Sequence, residues 1–317
     1  MSPSLPDTFR IAAIQSAPVF LDTAASTDKA CGLIADAGRL GANIAAFGET
    51  WLPGYPRHAN APIGAGHRRA ITAKYLAAAV VIGGPETDAL CAAARSAGTD
   101  VVIGIAERDP ITNGSTYCTL LFISADGEII GRHRKLKPTD GERTVWADGD
   151  GVGLQAWPRP YATISGLNCW EHNMVLPGYA LIAGGTQCHV AAFPGAEPLP
   201  PEVSRTRQLL LSRAFASQAA SYVVLVGGVL RPEDVPDPEV REVVAMLPPM
   251  NGGSYIIDPF GEVIAGPAEG EQILVVDASH ERLRSAKSVC DVAGHYSRPD
   301  VLRLTVDRRP RSSLEER

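Results

Sequence analysis

Short apolar runs alternate with helix-length amphipathic stretches along nearly the whole of this chain, and that alternation restricts the fold more than any other feature. A run of roughly four to eight apolar residues suits a buried strand and is too short for a stable helix. Arg10 to Ser16 (RIAAIQS), Asn43 to Phe47 (NIAAF), Asp100 to Ala106, Thr116 to Ile123, Gln187 to Phe193 and Tyr222 to Leu230 are such runs. Between them, Ala24 to Leu40, His67 to Val80, Thr87 to Ser96 and Glu202 to Ala220 have helical patterning, as with Ile34, Ala37 and Leu40. Such alternation predicts an α/β fold with helices outside buried sheets. Leu121 to Gly131 and Tyr255 to Gly266 echo each other as strand, Gly-containing turn and strand, which suggests two sheets built on one plan. Arg231 to Asn251, rich in Pro and acid, reads as a long surface loop of the kind that borders sites.

No linker divides the 317 residues, so one domain over 1–317 is expected. A hydrophobic content of 45% with 20% charged residues fits a soluble globular chain. The net charge of −6 and the lack of a long basic run argue against a nucleic-acid partner. Arg308, Arg309 and Arg311 crowd into a tail that reads as solvated. No apolar stretch approaches the roughly 18 residues of a membrane span, and the first residues lack a secretory pattern. Six cysteines are scattered without a C-x-x-C pair, which points to reduced thiols and a cytoplasmic protein.

Three chemically complementary residues each follow a short apolar strand. Cys169 ends the run from Tyr161 to Leu167, where a rigid sheet edge can project its sulfur as a nucleophile. Glu49 follows NIAAF, where partial desolvation raises a carboxylate toward the range of a general base. Lys135 follows the second strand of the first hairpin, and its ammonium can stabilise developing negative charge and favour a neighbouring thiolate. Together they have the logic of a hydrolase that works through a thioester.

The blocks around them, Phe47-Gly-Glu49-Thr-Trp-Leu-Pro-Gly-Tyr-Pro56, His133-Arg-Lys135-Leu-Lys-Pro-Thr139 and Asn168-Cys169-Trp170-Glu171-His172, resemble the three signature blocks of the nitrilase superfamily, in its order. Gly294 to Asp300 (GHYSRPD) is similar to a further segment of true nitrilases, and the likeness spans about residues 9–303, leaving a tail of 304–317. The resemblance implies an αββα four-layer sandwich whose protomers pair, hence a homo-oligomer built from dimers. It implies Glu49 as general base, Lys135 as cationic stabiliser, Cys169 as nucleophile and Glu142 as a second glutamate that positions the site. Cys-Trp-Glu is similar to the nitrilase branch, which converts a small-molecule nitrile and water to a carboxylic acid and ammonia without a cofactor or metal. An amidase or carbamoylase on the same scaffold, a cyanide dihydratase and a non-catalytic interaction protein are the alternatives.

Gly48 stands where the family usually has proline, and Pro177-Gly178 enters the stretch after the nucleophile. Trp51, Tyr55, Trp146, Trp170 and His172 are candidates to line the substrate pocket, since concave sites favour aromatic walls. Cys169 and His172, with Cys188-His189, lack the tight paired spacing of zinc ligands, so no metal is expected.

Overall fold

Along β1 (Thr8–Gln15), Phe9, Ile11 and Ala13 point to one face and Ala12 and Ile14 to the other, and every one of them is buried. A strand covered on both sides reads as a continuous apolar run, which is why these segments stand out in the sequence. The computed structural model describes residues 6–195 and 201–311, with side chains from 206 in the helix that begins at Pro201. Residues 1–5 and 312–317, the ends of the amino-terminal segment and of the basic tail, lie outside the described residues.

In chain order, β1 is followed by α1 (Thr23–Arg39), β2 (Ile44–Ala46), α2 (Ala65–Ala78), α3 (Pro85–Ala97), β3 (Asp100–Arg108), β4 (Thr116–Ile123) and β5 (Ile129–Arg134). Then come β6 (Trp157–Pro158), β7 (Thr163–Asn168), α4 (Val175–Ala183), β8 (Cys188–Phe193), α5 (Pro201–Ala219), β9 (Tyr222–Gly227) and β10 (Val229–Leu230). The last elements are α6 (Pro238–Ala245), β11 (Met250–Asn251), β12 (Tyr255–Ile257), β13 (Val263–Ala265), β14 (Gln272–Ser279) and α7 (His280–Val289).

Two six-stranded sheets form, ordered β14-β1-β2-β3-β4-β5 and β13-β12-β9-β8-β7-β6. The two echoing hairpins, β4-β5 and β12-β13, occupy one edge of each sheet. Between the sheets, Ile11, Ile44, Val102 and Phe122 of the first meet Ile164, Val190, Val224 and Ile256 of the second. On the outer face of the first sheet lie Ala30 and Ile34 of α1 with Leu90 and Ala94 of α3. On the outer face of the second lie Leu181 of α4 and Phe215, Ala216 and Ala219 of α5. The layers therefore run helix, sheet, sheet, helix: an αββα sandwich.

One expectation needs correction. The stretch Arg231 to Asn251 contains α6, whose Val240, Val243 and Val244 pack with Phe20 and Ile71. Its acid and proline are helix-start signals: Asp237 caps the amino end, accepting from the Glu239 and Val240 N–H groups, and Pro238 fills the first turn. In the tail, Arg308, Arg309 and Arg311 are exposed to solvent as expected, while Val306 packs against the second sheet's outer core and Arg308 donates to the Leu154 carbonyl.

Candidate active site

Glu49 lies just beyond β2 because the chain there is stitched to β3 on both sides of it. Phe47 donates from its backbone to Val102, and Leu52 to Gly104. A Cβ on Gly104 would lie 2.3 Å from both the Gly48 carbonyl oxygen and the Thr50 nitrogen, so the loop sits directly on a bare backbone. Gly48 itself has room, since an added Cβ would meet nothing closer than 3.5 Å. The rigidity that proline would supply there comes from β3.

Lys135 is held by its own N–H on the Cys118 carbonyl, 2.7 Å away, and by its carbonyl, which accepts from Gly149 at 2.9 Å. Its Nζ donates to Glu49 Oε1 and to Glu142 Oε2, at 2.7 Å each, and all three side chains are buried. Glu142 caps the 3-10 turn Asp140–Thr144, accepting from the Thr139 N–H at 2.6 Å, and it also accepts from the Tyr55 hydroxyl at 2.7 Å. Burial works against the Lys135 charge, but Glu49, Glu142, Cys169 and Cys118 together hold its pKa well above the ordinary range. Burial raises Glu49 to about 7, with Lys135 opposing and Glu142 adding to the rise. Glu49 Oε1 also accepts from the Cys118 thiol at 3.3 Å, whereas Oε2 has no hydrogen-bond partner among the described residues.

Cys169 opens the 3-10 turn Cys169–Asn173 directly after β7 and is 1% exposed. Its φ of 50° lies in the left-handed region, which costs a residue with a Cβ roughly 1–2 kcal/mol and persists only where the surroundings impose it. Glu171 is one such constraint. Its carboxylate accepts from the Asn168 N–H (2.9 Å), the Leu136 N–H (2.8 Å) and His133 Nε2 (3.0 Å), which ties the lysine segment of one sheet to the cysteine turn of the other. Burial alone would raise the Glu171 pKa, yet His133 and the two backbone donors hold it below the usual carboxylate value.

The aromatic candidates separate. Tyr55 meets Trp146 edge to face at 5.7 Å, and Trp146 lies 5.7 Å from Lys135 Nζ, so both adjoin the charged cluster. Burial, then Glu142, Glu49 and Cys169, raise the Tyr55 pKa well above its ordinary value, so its hydroxyl stays a donor. Trp51 belongs to the outer core of the first sheet: it packs on Phe47, and its indole N–H donates to the Ser16 carbonyl. Trp170 packs against the second sheet's outer core beneath the Arg207 guanidinium. His172 Nδ1 lies 2.7 Å from the Cys169 carbonyl, and its ring lines a cavity of about 420 Å³ shared with Val175, Tyr179 and Phe215. That cavity lies between α4 and α5, and none of Glu49, Lys135, Glu142 and Cys169 lines it.

Cys118, which donates to Glu49, and His133 and Glu171, which join the segments flanking Lys135 and Cys169, do not stand out as candidates in the sequence. A period-2 reading puts His133 and Lys135 on one side of the chain, which is the only hint of the first. Among the described residues, no helix is long and apolar enough to cross a membrane, and no three His, Cys, Asp or Glu residues gather as metal ligands.

The family model for carbon-nitrogen hydrolases matches residues 10–288. The chain is 52% identical over 301 residues to "Nitrilase 2" of an unknown prokaryotic organism, covering 94% of this chain and 92% of that one. It is 38% identical to an aliphatic nitrilase of Rhodococcus rhodochrous, over 96% of this chain and 84% of the relative. Among solved structures, Saccharomyces cerevisiae Nit3, a member of branch 10 of the nitrilase superfamily, aligns with a TM-score of 0.71 at 18% identity, over 93% of this chain and 98% of that one. An amidase from Nesterenkonia sp. aligns with a TM-score of 0.65 at 18% identity, over 90% of this chain and 96% of the amidase.

Proposed function

From the premise that this chain belongs to the carbon-nitrogen hydrolase family, we propose that it is a nitrilase, converting an organic nitrile and two waters to a carboxylic acid and ammonia. The observation that carries the reading is the buried Glu49–Lys135–Glu142 cluster, electrostatically coupled to Cys169 in a chain 52% identical to a nitrilase.

In this reading the Cys169 thiolate attacks the nitrile carbon and forms a C–S bond, and the nitrogen takes a proton to give a thioimidate. Glu49, raised to about 7, is poised to take the thiol proton and return it to that nitrogen at neutral pH. Its unpartnered Oε2 is the oxygen open to that proton, because Oε1 is occupied by Lys135 and Cys118. Water activated by Glu49 adds to the thioimidate carbon, ammonia leaves, and a thioester remains. A second water cleaves the C–S bond and releases the acid. Lys135 stays charged throughout and stabilises the negative charge that develops at the reacting carbon's substituent. Glu142 and Tyr55 hold the ammonium in place, and Trp146 closes the cluster on one side.

Relatives named bifunctional nitrilase/nitrile hydratase, such as one from Nicotiana tabacum at 36% identity, support some amide among the products. The tetrahedral species then expels the thiolate in place of ammonia. We read the protein as a cytoplasmic homo-oligomer built from dimers. Six cysteines with no disulfide among them fit a reducing compartment. Exposed Val175, Leu176 and Leu210 on the outer helical layer offer an apolar face for a second copy.

The test is release of ammonia, acid and amide from aliphatic, arylacetic and aromatic nitriles, with Cys169→Ala alongside. Acid plus ammonia from the native enzyme and none from the variant is the expected result. Ammonia from amides without turnover of any nitrile would place the chain among the amidases.

A further inference from the structure

The carbonyl of Cys169 is held from behind. It accepts from His172 Nδ1 at 2.7 Å, so that nitrogen carries the ring's proton. His172 Nε2, left with its lone pair, faces His189 Nε2 at 3.0 Å, so the second ring must donate there. His189 Nδ1 then has only a lone pair to offer, and it meets the Ser165 hydroxyl at 2.9 Å. Ser165, having spent its proton, accepts from the Thr186 hydroxyl at 2.6 Å. Donor and acceptor accounting allows one direction through all four side chains.

The chain is built into the sheet. Ser165 of β7 and His189 of β8 are direct cross-strand partners, and Ser165 stands three residues before the end of β7 at Asn168, where Cys169 follows. Ser165, Thr186 and His189 are almost entirely removed from solvent. Phe193 stacks on His172 at 5.2 Å and Phe215 on His189 at 3.9 Å, which fixes both ring planes. Burial takes His172 down to about 4, against the Cys169 carbonyl and Glu171, and takes His189 well below its ordinary value. Both rings are neutral at physiological pH, as the accounting requires.

We propose that His172 and His189, anchored by Ser165 and Thr186, form a one-way hydrogen-bonded strut that holds the main chain of Cys169 in its left-handed conformation, making both histidines positioning residues for the reaction. The inference rests on Cys169 being the nucleophile. In a trans peptide the carbonyl and the following N–H point to opposite sides. Fixing the Cys169 carbonyl toward His172 therefore turns the Trp170 N–H away from the strut and sets the χ1 origin of the sulfur. His172 acts from behind the nucleophile as a support, beside a cavity that the charged cluster does not reach.

Imidazole tautomers, read from two-bond 1H–15N correlations at neutral pH and assigned with His172→Gln and His189→Gln, test the strut directly. His172 is expected as the Nδ1–H form and His189 as the Nε2–H form. Any other tautomer, or an imidazolium at either position, overturns the proposal. His189→Leu keeps the apolar packing and removes the donor. Its kcat is expected to fall about 10²-fold with KM nearly unchanged, as for a slightly misplaced reacting group. Alkylation of Cys169 by iodoacetamide, followed by mass spectrometry, should slow in parallel, and His189→Gln, which can still donate, should recover most of both rates. Ser165→Ala, which frees the tautomer of His189, should give a smaller fall in the same two quantities and decides the matter should His189→Leu not fold. Lowered melting temperatures with kcat and alkylation rates intact would reduce the histidines to packing and sink the proposal. Tautomers and alkylation need no nitrile. A native enzyme inactive on nitriles that still shows both would refute the nitrilase reading and leave the strut standing.

Discussion

Glu142→Gln should move the acid limb of the pH–rate profile toward lower pH. Lys135 Nζ is 2.7 Å from an oxygen of Glu49 and 2.7 Å from one of Glu142, so the facing carboxylate oxygens are at most twice that distance apart. Two negative charges roughly 5 Å apart at an effective dielectric of about 20 repel by about 3 kcal/mol. That repulsion corresponds to roughly 2 pH units on the Glu49 carboxyl, a ceiling that relaxation reduces to about 1–2. The sign follows from Glu142 acting to raise Glu49, which stands at about 7 in the native protein. Glutamine preserves the shape: its oxygen can take the Thr139 N–H and Lys135, while its amide faces a Tyr55 hydroxyl able to turn and accept. The assay is kcat/KM against pH, whose limbs report the free enzyme's groups. The native acid limb is expected near 7 and the variant's about 1–2 units lower, whatever happens to the plateau. A limb that stays near 7 in a variant with an unchanged melting temperature would refute the reasoning, since Glu49 could not then be the group whose ionisation controls the rate.

Cys118→Ala removes a donor that lowers the Glu49 pKa, so its acid limb should move the opposite way, up by roughly half a unit, in the same assay. Gly104→Ala forces a Cβ onto the Glu49 loop and should cost about 1–3 kcal/mol by denaturant titration and about 10²-fold in kcat. Gly48→Ala meets only ordinary contacts and should leave both nearly unchanged. Acid should weaken the fold between pH 6.5 and 4. His58, buried beside Arg68, is lowered from 6.5 to about 4, so the unfolded chain binds its proton first and stability falls by about 3 kcal/mol as pH drops through that window. His172, half-buried, and His189 act in the same direction. Glu49, raised from 4.5 to about 7, works the other way and offsets roughly one of the histidines. Urea midpoints at pH 7 and 4.5 check this, and His58→Leu should flatten the difference.

The strand runs were legible because both faces of each sheet are covered, which makes Leu120 to Ile123 or Val190 to Phe193 an unbroken apolar word. Glu49 and Cys169 stood out for a related reason, since each is nearly the first polar break after such a word, whereas Lys135, behind Arg132, His133 and Arg134, stood out as the residue that follows the first hairpin. Glu142 came forward only through the resemblance, since nothing local distinguishes a glutamate whose partners are Lys135 and Tyr55 from one in a salt-bridged loop. The helix over Pro238–Ala245 was hidden by its own cap, because Asp-Pro reads as loop until the three buried valines behind it are counted. Trp51 illustrates the converse error of proximity, four residues from Tyr55 in the same motif yet committed to packing on Phe47. Which side chains meet across long intervals, such as Cys118 with Glu49 or His172 with His189, depends on sheet order and register, and period-2 patterning carries neither.

The carboxylate of Glu171 has a consequence for how this sequence can drift. It serves three donors at once, two of them backbone N–H groups that no substitution other than proline can remove. An apolar residue at 171 would strand both, and a glutamine would set an amide N–H against one of them. His133 is the one partner of the three that bonds through its side chain, so substitutions at positions 133 and 171 should couple in a double-mutant cycle. A lineage leaving Cys-Trp-Glu behind must first find another acceptor for Leu136 and Asn168. The glutamate after Trp170 is in that sense a clasp, answerable to the two segments it binds together rather than to whatever substrate the pocket accepts.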